Sequence, residues 1–124
     1  MEVTVELSDS QLDSMVATHI MQWQSRLWRQ SEPYWDMPNE EAHGTLLMHD
    51  QWQPTRKIEQ AFMALEKLRE QPDIYYLADV TMRPLEWICH IETERGLISV
   101  VADSAPRAIC LAALRAVGVD VDNA

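Results

Sequence analysis

The side chains of this sequence that could do chemistry are four histidines, two cysteines and a surplus of carboxylates. His43 and His49 flank the end of an acidic stretch next to Asp50, and with Glu40 and Glu41 they are the first place to look for a metal centre. Such a centre needs at least three converging ligands, and this spacing matches no helical or hairpin ligand pattern. The expectation is therefore exposed loop residues and no metal. His19 lies near an apolar stripe and His90 in an alternating segment, so both are read as structural or surface residues. Nucleophilic and nucleotide chemistry is equally unsupported. The chain has only three glycines and contains no Gly-x-Ser-x-Gly, P-loop or Gly-x-Gly-x-x-Gly pattern to turn a nucleophile outward or cradle a phosphate. The Glu40-Glu41 pair could do acid-base work, but a glycosidase-type pair needs a deep cleft that so small a domain rarely provides. Cys89 and Cys110 sit in apolar segments and form no Cys-x-x-Cys pair, so they are read as buried reduced thiols. No catalytic residue, metal or cofactor is expected.

Composition narrows the partners. The chain has 124 residues and a formal net charge of −10, with an isoelectric point near 4.6. That length suits one domain, large enough to bury about two-thirds of its unfolded surface without disulfide or metal support. The negative charge repels phosphate backbones and anionic lipid surfaces, which argues against direct nucleic-acid or membrane binding. Neither an apolar run of about 18 residues nor a signal-peptide pattern is present, so the expected location is cytoplasmic.

The elements that would position these groups follow from periodicity. Ser8 and Gln11 make a capping box, with Leu7 and Leu12 as a hydrophobic staple. Apolar residues at Leu12, Met15, Val16, Ile20, Trp23 and Leu27 then predict a helix over 9–28. A long segment over 31–53 has no sustained period and carries Pro33, Pro38 and Gly44, and loops of that length invite a functional explanation. Pro54 opens a second helix over 54–70, with Ile58, Ala61, Phe62, Leu65 and Leu68 at helical spacing, and Pro72 ends it. Strands are predicted over 74–80, 85–92 and 97–102, joined by a hairpin at Thr93-Glu94-Arg95-Gly96. A third helix over 104–117 ends at Gly118 and is apolar almost all round, so it should pack against the sheet on one side and another element on the other. An acidic tail spans 119–124.

At this third helix the run Ala102-Asp103-Ser104-Ala105-Pro106-Arg107-Ala108-Ile109-Cys110-Leu111-Ala112-Ala113-Leu114-Arg115-Ala116-Val117-Gly118 resembles the phage ABA sandwich domain proteins, a family of small bacteriophage and prophage proteins. Leu12 to Trp23 is similar to the family's first helix, and Tyr34-Trp35-Asp36 to its tryptophan-rich loop. Where the family commonly has Ser-Thr-Asp before helix two, this chain has Gln53-Pro54-Thr55-Arg56. The resemblance implies an α+β fold, a three-layer α-β-α sandwich with a small, mainly antiparallel sheet and about three helices. It implies a phage origin and transfers no catalytic residue, because the family is of unknown function.

The functional expectation centres on 31–53. Residues 31–50 hold Glu32, Asp36, Glu40, Glu41 and Asp50 and no lysine or arginine. Trp28, Tyr34, Trp35 and Trp52, at or within the long segment, form either a satellite core or a partner-binding patch. The residues expected to bind are Glu32, Tyr34, Trp35, Asp36, Met37, Glu40, Glu41, Asp50 and Trp52. The reading is a non-enzymatic phage accessory protein, in the cytoplasm of the infected bacterium, that binds a host or defence protein with a basic surface, as an anti-CRISPR or anti-restriction inhibitor would. A small ligand-binding protein or enzyme using His43, His49 and Asp50 is the second reading. A self-associating accessory protein, a homodimer through exposed aromatics, is the third.

Overall fold

The computed structural model describes residues 7–28, 32–36, 47–72 and 74–119. Met37, Glu40, Glu41, His43 and the tail from 120 onward lie outside the described residues. Among those described, the chain is α+β, with three α-helices and two three-stranded antiparallel sheets.

Helix α1 (Asp9–Met15) starts as its sequence dictates. The Ser8 hydroxyl accepts the Gln11 amide at 3.1 Å, and the Gln11 side chain accepts the Ser8 amide at 2.8 Å, the reciprocal arrangement that satisfies two otherwise orphaned donors. The helix does not run to 28. Its last turn widens into a π-helix over Val16–Ile20, with the Met21 amide reaching back to the Val16 carbonyl. Gln22 then takes φ 62°, a left-handed conformation unfavourable to a side chain other than glycine, and the chain leaves as strand β1 (Gln24–Trp28). The helical stripe holds as far as it is needed: Leu12, Val16, Ile20 and Trp23 are all buried, whereas Leu27 is 63% exposed. What overrides helical periodicity beyond Trp23 is antiparallel pairing with the strand that follows a few residues later.

That segment is β2 (Glu32–Asp36), which runs antiparallel to β1 with Gln24 opposite Asp36 and Trp28 opposite Glu32. A two-residue strand, β3 (Leu47–Met48), flanks β2 on its other side and leads into a 3-10 turn over His49–Gln51. The stretch read as an aperiodic loop over 31–53 is thus partly a sheet. Pro33 is tolerated in its central strand because β3 pairs only with Tyr34 and Trp35, leaving Pro33 at a position where no β3 ladder bond is needed.

Helix α2 (Ile58–Leu68) is shorter than the expected 54–70. Pro54 lies in the turn before it rather than in its first turn. Strands β4 (Ile74–Arg83), β5 (Glu86–Thr93) and β6 (Gly96–Ala102) then form an antiparallel meander. The predicted hairpin at 93–96 is present: the Thr93 hydroxyl donates to the Gly96 carbonyl and accepts the Arg95 amide, while Gly96 takes φ 130°. Helix α3 (Ala105–Ala116) closes the fold. It contacts β4, β5 and β6 on one side and α1, the π turn and α2 on the other. Ala108 to Leu114 and Ala116 are buried without interruption, as an all-round apolar helix requires. Its ends are closed by the Ser104 hydroxyl, which accepts the Arg107 amide, and by Arg95, which donates to the Ala116 carbonyl at 2.9 Å. Gly118 follows at φ 88°, the left-handed exit common after a helix.

Leu114 has no exposed surface, and Leu85, in the β4–β5 turn, is fully exposed. Urea unfolding should show Leu114→Ala losing about 2–5 kcal/mol and Leu85→Ser changing stability by less than about 0.5 kcal/mol.

Candidate functional site

The functional residues expected from the sequence separate into two sets. Trp35 and Trp52 are 4% and 1% exposed. They belong to the hydrophobic core with Trp23, and Trp23 meets Trp52 edge-on at 4.7 Å between ring centroids. The satellite-core alternative therefore holds for these two indoles, and burial removes them from the partner-binding set. Glu32 and Asp50 are exposed, and Tyr34 and Asp36 are half-buried. Asp36 is occupied by an ion pair with Arg26 across the β1–β2 ladder. Met37, Glu40 and Glu41 lie outside the described residues.

Strand β2 and the 3-10 turn bring Glu32 and Asp50 together. Both line a groove of about 400 Å3 with Pro33, Met48 and His49. The His49 ring stacks on Trp35 at 4.1 Å with an interplanar angle of 16°, and its Nε2 lies 3.0 Å from the Ser25 hydroxyl. Burial pushes the His49 pKa below its usual range, so the ring is neutral at pH 7 and the groove keeps the negative charge of its carboxylates.

A second cavity, of about 240 Å3, shares His49 and Asp50 with this groove and extends inward between α1 and the turn before α2. Its centre is Asp13, a buried carboxylate that composition alone does not reveal. Asp13 Oδ1 accepts both the Thr55 amide at 2.9 Å and the Thr55 hydroxyl at 2.8 Å, and the Asp13 carbonyl accepts the Trp52 indole N–H at 3.0 Å. Burial raises the Asp13 pKa above the usual carboxylate value, against the lowering effect of the Thr55 hydrogen bonds and the Arg56 charge. The sequence does carry a signal for this residue. Asp13, Ala17 and Ile20 fall at helical spacing, so a carboxylate sits on a stripe whose other members are apolar, and a buried charge on such a stripe needs dedicated partners. Its partner Thr55, 42 residues away, is not readable from spacing.

Another groove, of about 800 Å3, lies at the start of α1 beside Asp9, Ser104 and Arg107. Three of its polar groups are engaged locally: Arg107 pairs with Asp9, and Ser104 caps the helix. Cys89 and Cys110 are free and buried, and burial raises the Cys110 thiol well above its ordinary pKa, which leaves it protonated and unreactive. Among the described residues, no three His, Cys, Asp or Glu side chains are close enough to hold a metal ion, and no helix is long and apolar enough to cross a membrane.

The profile of the phage ABA sandwich domain matches residues 14–114. No curated protein matches the chain. Among solved structures, a phage protein from Bacillus cereus ATCC 14579, determined by crystallography at 2.0 Å, superposes with a TM-score of 0.65. The alignment has 20% identity and covers 97% of this chain and 96% of that one. At that identity the likeness establishes the fold.

Because burial raises the folded-state pKa of Asp13, the folded chain binds this proton more tightly than the unfolded chain does. Its contribution to stability is complete below the unfolded carboxylate pKa and declines as pH rises through the folded value. Asn at this position keeps the oxygen that accepts from Thr55 and does not titrate. Chemical unfolding of the parent and Asp13→Asn across the acid-to-neutral range should show the parent gaining stability relative to the variant as pH falls; a pH-independent difference would contradict the assignment.

Proposed function

The chain belongs to the phage ABA sandwich domain family, and on that footing we propose that it is a non-enzymatic phage accessory protein that binds a host or defence protein presenting a basic surface. The observation that carries this reading is the convergence of Glu32 and Asp50 on one groove. The two are 18 positions apart in sequence, yet the pairing of Tyr34 with Met48 brings their segments together around a common, partly apolar depression. Arg26, on the neighbouring strand, is engaged with Asp36, and His49 in the groove is neutral at pH 7. The depression therefore offers carboxylates that have no ion-pair partner among the described residues, beside the apolar surface of Pro33 and Met48.

A chain of net charge −10 also attracts a cationic partner at long range. Complementary charge mainly accelerates encounter and fixes orientation, whereas the apolar contacts slow dissociation. A nucleic-acid-handling enzyme has the required basic groove, and carboxylates can occupy the positions of phosphates. Inhibition of anti-CRISPR or anti-restriction type is the finer form of the proposal, with the cytoplasm of the infected bacterium as its setting. The homodimer reading loses support from the burial of Trp35 and Trp52, which were to supply its interface.

The experiment is affinity purification of the tagged chain from bacterial lysate at about 0.05 M and about 0.5 M salt, since screening over this range shortens the reach of exposed charges severalfold. A basic nucleic-acid-handling or defence protein should co-elute at low salt and be depleted at high salt. Once that partner is in hand, Glu32→Lys with Asp50→Lys should weaken its binding by about tenfold or more, mainly through slower association. A complex indifferent to both salt and the double reversal would reject the groove as the contact.

A further inference from the structure

The cavity around Asp13 contains more unused hydrogen-bonding capacity than a structural cavity needs. Trp35 forms part of its wall and is 4% exposed, yet its buried indole N–H has no hydrogen-bond partner among the described residues. An unsatisfied buried donor is costly, and native structures rarely leave one without a water or ligand to meet it. The other indole in the wall, Trp52, is satisfied by the Asp13 carbonyl, so the deficit belongs to Trp35 alone. Asp13 uses only Oδ1 in its two hydrogen bonds with Thr55; among the described residues Oδ2 has no donor. Arg56 at the rim is exposed and forms no ion pair with the described residues.

These groups put both acceptors and donors into one lining. Asp13 and Asp50 present carboxylate oxygens, while Arg56 and the Trp35 N–H present donors. The cavity volume of about 240 Å3 corresponds to a ligand of roughly eight non-hydrogen atoms, at about 30 Å3 per water-sized group. A simple anion would meet Arg56 but be repelled by two carboxylates, and a simple amine would leave Arg56 and the Trp35 N–H without acceptors. A small molecule carrying an ammonium and a carboxylate on one carbon satisfies both ends. We propose that this cavity binds a free α-amino acid with a small side chain, its ammonium held by Asp13 and Asp50 and its carboxylate by Arg56 and the Trp35 indole. The site uses the inner cavity rather than the groove of the partner reading, and it stands whether or not a basic partner exists.

The five tryptophans give separate indole N–H signals in a 15N-labelled sample, and Trp35→Phe identifies the one that matters. Glycine, alanine and serine are titrated into the intact chain, with acetate and ethylamine as single-charge controls. The expected result is a saturable shift of the Trp35 signal with at least one amino acid, absent or much weaker with either control. Arg56→Gln, at an exposed position, should weaken that binding by about tenfold or more, and Asp13→Asn, which retains the oxygen accepting from Thr55, should do the same. The proposal is overturned if none of the three amino acids shifts the Trp35 signal, if acetate or ethylamine shifts it equally, or if both variants bind as the parent does.

Discussion

Helix α3 has no solvent face over most of its length, and the rest of the structure is arranged to supply it with neighbours. Its small residues, Ala108, Ala112, Ala113 and Ala116, let other elements approach closely, while Ile109, Leu111 and Leu114 fill the spaces between them. A helix buried on all sides cannot be stabilised by one amphipathic contact; it needs a layer on each side. The meander β4–β5–β6 forms one layer and α1, its π turn and α2 form the other. The ends of α3 are consequently the places where distant segments are tied. Arg107 reaches Asp9 at the start of α1, 98 residues earlier, and Arg95 in the β5–β6 hairpin donates to the Ala116 carbonyl.

The second sheet is attached to this core by aromatic and polar contacts rather than by a broad apolar layer. Trp23, Trp35 and Trp52 come from three separate segments and enter the same core. Each indole also brings a polar N–H that must find an acceptor, and Trp52 finds one at the Asp13 carbonyl. Asp13 thereby holds the turn before α2 through two kinds of bond, backbone to Trp52 and side chain to Thr55. A buried carboxylate is costly unless it is so engaged. The raised pKa of Asp13 shows that its hydrogen bonds only partly offset the loss of hydration.

The same junction connects structure to the proposed activities. His49 is pinned between Trp35 and Ser25, and so forms a common wall of the outer acidic groove and the inner cavity. Charge on the outer side is suited to recognising a cationic surface, where long-range attraction matters and the contacts remain hydrated. The inner side is suited to a small polar molecule, because Asp13 and the Trp35 indole are desolvated and partly unpaired. Two sites separated by one stacked ring pair can coexist in a domain of this size without competing for the same side chains, except at Asp50.

Short-range features were legible in the residues. The Ser8 capping box, the 93–96 hairpin and the all-round apolar character of α3 each depend on residues within a few positions of one another, so spacing alone specifies them. The buried stripe of α1 was legible for the same reason up to Trp23. Beyond that point the helical pattern lost to hairpin pairing: Gln24–Trp28 continues a helical pattern, but it pairs antiparallel with Glu32–Asp36, and nothing in either segment by itself reveals the register. Likewise the interleaving of acidic and aromatic residues over 31–53 marked the region as unusual without telling which side chains face water. Only the folded chain decides that Trp35 and Trp52 turn inward while Glu32 and Asp50 meet at the surface, because burial is a property of what packs against a residue, and those neighbours come from α1, β1 and the turn before α2.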